Sequence, residues 1–182
     1  KAYQKIWVDN ESPLRKITRG QTSKLQQLFN KAYAGSENVP QAHYAMTYSG
    51  PSLASKVKQL EQDGFEHILV LPLYPQFSAT TTGSIYDQIS HINQQRRNIP
   101  QIHVVKQYFD HPLYIDALAH TIREQWALTG KPNKLLMSFH SIPQSYSDAG
   151  DPYYQQCLTT ADLLAEALEL QKEDWSISFQ SR

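Results

Sequence analysis

The residue with the clearest chemical potential is His140, which leaves the apolar run Lys134–Phe139 (KLLMSF) directly into the loop Ser141-Ile142-Pro143. A neutral imidazole at a strand end can ligate a metal or accept a proton near neutral pH. Position alone leaves a satisfied core histidine as the alternative. No second histidine stands near it at metal-ligand spacing, so this is not a self-contained structural zinc site. The other six histidines (His43, His67, His91, His103, His111 and His120) are scattered and read as solvent or packing residues. Ser138 and Ser141 do not make a Ser-His hydrolase with His140, because neighbouring side chains on an extended strand point to opposite faces. A Gly-x-Ser-x-Gly elbow, a Gly-x-Gly-x-x-Gly turn and a Walker loop are all absent from the sequence, which leaves dinucleotides and nucleoside triphosphates unsupported.

A second chemical candidate is the segment Leu71–Ser84 (LPLYPQFSATTTGS). Its rings suit a flat apolar ligand, and its hydroxyls and the following helix start suit an anion. The competing reading is that the Ser/Thr run only caps the next helix.

Elements of alternating type must position these loops. Strands are expected over 41–48, 67–74, 101–108, 134–139 and 175–179, with 67–74 (HILVLPLY) apolar enough to be buried on both faces of a parallel sheet. Helices are expected over 22–34, 52–63, 84–95, 112–128 and 151–170. The alternation predicts an α/β fold with a mainly parallel sheet, and ligands then bind beyond the carboxyl ends of the strands. Asp110-His111-Pro112 interrupts the pattern, dividing the chain into Rossmann-like halves at 1–109 and 110–182. The first half is expected to lack its opening strand and the second its C-terminal part.

Composition narrows the function classes. Hydrophobic residues make up 40% and charged residues 19% of the 182, ordinary values for a globular protein. Seventeen basic residues balance 17 acidic ones, which removes the electrostatic case for nucleic acid. The single cysteine, Cys157, fits a reducing cytoplasm and excludes iron–sulfur ligation within this chain. The sequence has neither an apolar run of membrane-spanning length nor a signal-peptide core at its start.

Leu71–Ser84, Ser138–Cys157 (SFHSIPQSYSDAGDPYYQQC) and Phe179–Arg182 (FQSR) resemble characteristic segments of ferrochelatases. Glu11–Leu14 (ESPL) and Met46–Ser52 (MTYSGPS) resemble two further segments in the right order. Glu11 stands where many relatives carry glycine, and Thr47 where the residue is often basic. The resemblance covers essentially the whole chain and implies a chelatase-like fold of two similar Rossmann-like domains with a porphyrin between them. It implies insertion of Fe(II) into protoporphyrin IX to give protohaem, with iron as co-substrate and no organic cofactor. His140 matches the family's metal-site histidine. Tyr74, Gln76, Phe77, Ser78 and Thr81 match its porphyrin-facing loop, and Tyr48 a position near the macrocycle. The family's catalytic glutamate falls outside this chain. Peripheral membrane contact is compatible with so apolar a substrate. A chelatase for cobalt or sirohydrochlorin, a non-catalytic porphyrin-binding module and an inactive fragment are the competing readings.

Overall fold

The computed structural model describes residues 7, 11–48 and 50–181, so Arg182 of the FQSR segment lies outside the described residues. The chain forms two compact units, Lys1–Glu66 and His67–Arg182.

In the first unit, helix α1 spans Pro13–Ala32. It begins well before the expected Thr22 because Ser12 accepts a hydrogen bond from the Arg15 N–H at 3.2 Å, and Pro13 at the first helical position has no N–H to leave unpaired. Thr18 and Thr22 sit inside the helix, their hydroxyls donating back to Leu14 O and Thr18 O. Glu11 pairs with Arg15 and Arg19 at 3.3 and 2.9 Å.

The strand expected over 41–48 does not form. Gln26 on α1 accepts from Ala42 N–H at 2.7 Å and donates to Pro40 O at 3.1 Å, so a side chain takes backbone groups that a ladder would use. Only an isolated bridge joins Met46 to Ser52. Ser52 then caps α2, Leu53–Gln62, which buries Leu53, Val57 and Leu60. Gly64 follows at φ +85°, a left-handed stop that glycine adopts without strain.

The second unit is α/β with parallel strands flanked by helices. Strand β1 (His67–Val70) pairs in parallel with β2 (Gln101–Val104). Strand β3 (Leu135–His140) pairs in parallel with β4 (Trp175–Gln180), in the register Leu135↔Trp175 to His140↔Gln180. Helix α3 (Thr82–Gln94) lies between β1 and β2 in sequence, and α4 (Pro112–Thr129) between β2 and β3. The β3–β4 crossover holds the short α5 (Gln144–Asp148), α6 (Tyr153–Ala167) and a 3-10 turn, Lys172–Asp174.

Strand β1 stops at Val70 rather than Tyr74, since Pro72 lacks an amide proton and restricts Leu71. The expected burial on both faces is also corrected. Ile68 and Met137 are buried, whereas their neighbours Leu69 and Leu136 are 71% and 60% exposed. Met137 joins Ala119 of α4 and Ala161, Leu164 and Ala165 of α6 in one core with Trp175 and Leu168. The opposite face of β3, carrying Leu136, Ser138 and His140, is open in the described residues. Alternation along the strand therefore decides which residues meet the helices and which stay exposed.

Candidate functional site

His140 is the last residue of β3, exposed, and in register with Gln180 of β4. The ladder continues one residue further, with Ser141 N–H donating to Gln180 O at 2.8 Å, so the backbone on both sides of the ring is fixed. Its Nδ1 stands 2.7 Å from the carbonyl oxygen of Ser141. A carbonyl only accepts, so Nδ1 carries the proton and the neutral ring presents a free lone pair on Nε2.

An open cleft of ≈ 490 Å³ begins at the next residue, lined by Ser141, Ile142, Asp148, Tyr153, Tyr154 and Phe179 among others but not by His140. Its aromatic residues belong to the helix-covered face of the strands, opposite the one that carries His140. Phe179 stacks on Phe139 with ring centroids 5.9 Å apart and meets Tyr154 at 5.1 Å, giving one wall an aromatic surface. Tyr153 and Cys157 are neighbours on one face of α6. Burial pushes the Cys157 thiol up to about 11, partly offset by its hydrogen bond with Tyr153. Burial also raises Tyr153 well above an ordinary tyrosine; Cys157 adds to the rise, and the His140 backbone amide opposes it.

The loop after β1 is tied down by its own side chains. Gln76 is 8% exposed and donates to Thr160 Oγ1 at 2.9 Å. Ser78 is 1% exposed and donates to Asp151 Oδ2 at 2.9 Å. Phe77 is half-buried, with its N–H on Gln156 Oε1 at 2.7 Å and Lys106 Nζ 4.9 Å from its ring centroid. Thr81 donates to Ser78 O at 3.3 Å and stands at the start of α3 without a side-chain cap bond. Tyr74 is 37% exposed. The structure thus brings Tyr74, Gln76, Phe77, Ser78 and Thr81 together in one loop of the second unit. Tyr48 belongs to the first unit, where it is 95% exposed.

Asp151, Gln156 and Thr160, which hold this loop, were not among the expected site residues. Their signal lay in the stretch Gly150–Thr160 (GDPYYQQCLTT), whose Gln156 and Thr160 share a helix face four residues apart.

The model of the ferrochelatase family matches residues 1–182. The chain is 47% identical over its full length to a ferrochelatase of Psychrobacter cryohalolentis, covering 52% of that protein. It is 43% identical to a ferrochelatase of Photobacterium profundum, covering 53% of it. Against ferrochelatase 1 of Shewanella oneidensis the identity is 42%, over 54% of that relative.

The chain belongs to the ferrochelatase family.

It spans about half the length of the curated ferrochelatases it matches. No group of three or more His, Cys, Asp and Glu side chains among the described residues is placed to hold a metal ion. No described helix is long and apolar enough to cross a membrane.

Proposed function

We propose that the complete protein inserts Fe(II) into a porphyrin, and that His140 handles the metal or the protons displaced by it. The observation that carries this is the exposed imidazole of His140, held at a strand end with its Nδ1 2.7 Å from the Ser141 carbonyl oxygen. Insertion replaces two pyrrole protons with one divalent cation, so the reaction is a lyase-type exchange that releases two protons and needs no external oxidant. Nε2 of His140 accepts a pyrrole proton or ligates the incoming iron, while the Ser141 carbonyl keeps the ring oriented through Nδ1.

The substrate in this reading is protoporphyrin IX and the product protohaem. Tyr74, Phe77 and Thr81 face the macrocycle, with Gln76 and Ser78 supporting the same loop; Tyr48 is assigned to the porphyrin on the family resemblance alone. A glutamate from the remainder of the complete protein shares the metal site, as the family resemblance implies. The same resemblance supports two Rossmann-like halves, 1–109 and 110–182, each completed by further chain. The two β-sheets fall on either side of that division. The lone cysteine supports a cytoplasmic location, and the apolar substrate supports peripheral contact with a bilayer. No organic cofactor is required, because porphyrin and iron are both substrates.

The test is His140→Ala in the complete protein, with iron insertion followed by porphyrin absorbance. Turnover is expected to fall roughly a hundredfold or more. Wild-type turnover in the variant would remove His140 from the mechanism. Porphyrin binding without iron insertion by the complete wild-type protein would point to a binding module. Faster insertion of cobalt than of iron in competition would point to a different chelatase.

A further inference from the structure

One carboxylate joins the loop after β1 to the start of α6. Asp151 Oδ2 accepts from Ser78 Oγ at 2.9 Å and from the Ala79 N–H at 2.8 Å. Its Oδ1 accepts from the Tyr153 N–H at 3.0 Å, at the first residue of α6. Because Ser78 gives its only hydroxyl proton to Asp151, the short 2.9 Å contact with Thr80 has Thr80 as donor. The Thr80 N–H also reaches Ser78 Oγ, at 3.2 Å.

The same helix fastens the rest of the loop. Gln156 accepts from the Phe77 N–H with Oε1 and donates to Gln107 with Nε2, both at 2.7 Å. One turn on, Thr160 accepts from Gln76 and offers its own proton to Phe109 O, at 2.9 Å, and Gln156 O, at 3.0 Å. Gln156 and Thr160 are 6% and 1% exposed. Asp151 therefore holds the loop after β1 by Ser78 and Ala79, and α6 holds it by Gln76 and Phe77 and the segment after β2 by Gln107 and Phe109. The same helix packs Ala161, Leu164 and Ala165 into one core with Met137 of β3 and Trp175 of β4, and so is fixed relative to the strand that ends at His140.

We propose that Asp151 is a positioning residue, fixing the porphyrin-facing loop in register with the strand end that carries His140. This rests on the proposed chelatase reading. Ser78 itself is almost fully enclosed, so its influence on a ligand runs through the loop backbone. The negative charge matters because three donors converge on the carboxylate, and charge-assisted bonds of this kind are stronger than neutral ones. An asparagine offers one acceptor oxygen and turns an N–H₂ toward one of those donors. The loop loses its register without losing its residues.

The experiment is Asp151→Asn and Ser78→Ala, singly and together, in the complete protein. The measurements are steady-state iron insertion, porphyrin affinity by fluorescence quenching, and amide exchange. Asp151→Asn is expected to raise the KM for porphyrin about tenfold. Its kcat should stay within about twofold and the KM for iron should not move. Ser78→Ala is expected to shift porphyrin KM in the same direction by less. The double variant should fall short of the product of the single effects, since the two residues share one bond. An unchanged porphyrin KM in Asp151→Asn would overturn the assignment. So would a fall in kcat at unchanged KM, which is the mark of a smaller folded fraction. If Asp151→Asn does not fold, Ser78→Ala decides, and an unchanged porphyrin KM there overturns the proposal. If the complete wild-type protein inserts no iron, the chelatase reading fails by itself. Exchange at Phe77 and Ala79 then tests the clamp alone, and wild-type protection in Asp151→Asn would sink it.

Discussion

His140 Nδ1 lies 2.7 Å from the carbonyl oxygen of Ser141, the next residue in the chain. The contact is local, yet because a carbonyl only accepts, it favours the neutral tautomer with the proton on Nδ1 and Nε2 free. Nitrogen chemical shifts of the labelled ring at pH 8 should show the Nδ1–H form. A dominant Nε2–H form would contradict the contact. Because the ring is exposed and outside the buried core, His140→Ala should change unfolding free energy by no more than about 0.5 kcal/mol. Urea denaturation of the variant checks that activity and stability separate at this position.

The buried thiol gives a pH dependence whose sign follows from its environment. Cys157 is fully enclosed, and burial lifts its pKa from 9.0 to about 11. Between those values the unfolded chain has lost the proton and the folded chain keeps it. Stability contributed here is therefore complete below pH 9 and is lost as pH rises through about 11. The loss is of order 2 kcal/mol. Denaturation midpoints at pH 8, 10 and 11 should fall in that order, with a shallower fall in Cys157→Ala. An aromatic disulfide reagent should label the native thiol only as fast as the protein opens.

Close approach of α4 and α6 depends on small side chains. Ala119 and Ala161 are 0% and 1% exposed within one core. Ala161→Leu adds three carbons where there is no room and should cost about 1–3 kcal/mol. Ala161 lies one residue beyond Thr160, so the same substitution should also speed amide exchange at Phe77. A Tm equal to wild type would show that the helices have slack.

Much of the frame was legible in local pattern. The run at 101–108 contains β2, those at 134–139 and 175–179 match β3 and β4 to within one residue at the ends, and α2 lies within the expected 52–63. Other features depended on partners that local pattern does not reveal. QAHYAMTY reads as a strand, but Gln26 takes the backbone groups at Pro40 and Ala42. HILVLPLY reads as doubly buried, although apolar character does not say which face the helices will cover, and Leu69 is left exposed. Ser12-Pro13 was a helix start in plain view, overshadowed by the more obvious apolar spacing from Leu25 onward. His140 stood out because a strand end and a family motif coincide there. Asp151 did not, because its partner Ser78 is 73 positions away and no local periodicity joins them.

The parallel pairing of β3 with β4 has a consequence for biosynthesis. Antiparallel strands can meet across a tight hairpin, whereas parallel ones wait for a complete crossover. When His140 leaves the ribosome, the strand that will hold it has not been made. The ribosome must first extrude α5, α6 and the chain through Gln180 before Ser141 can bond Gln180 and lock the imidazole. The nascent chain thus exposes this histidine long before the ladder that fixes it exists, and the strand-end geometry is deferred until translation has passed β4.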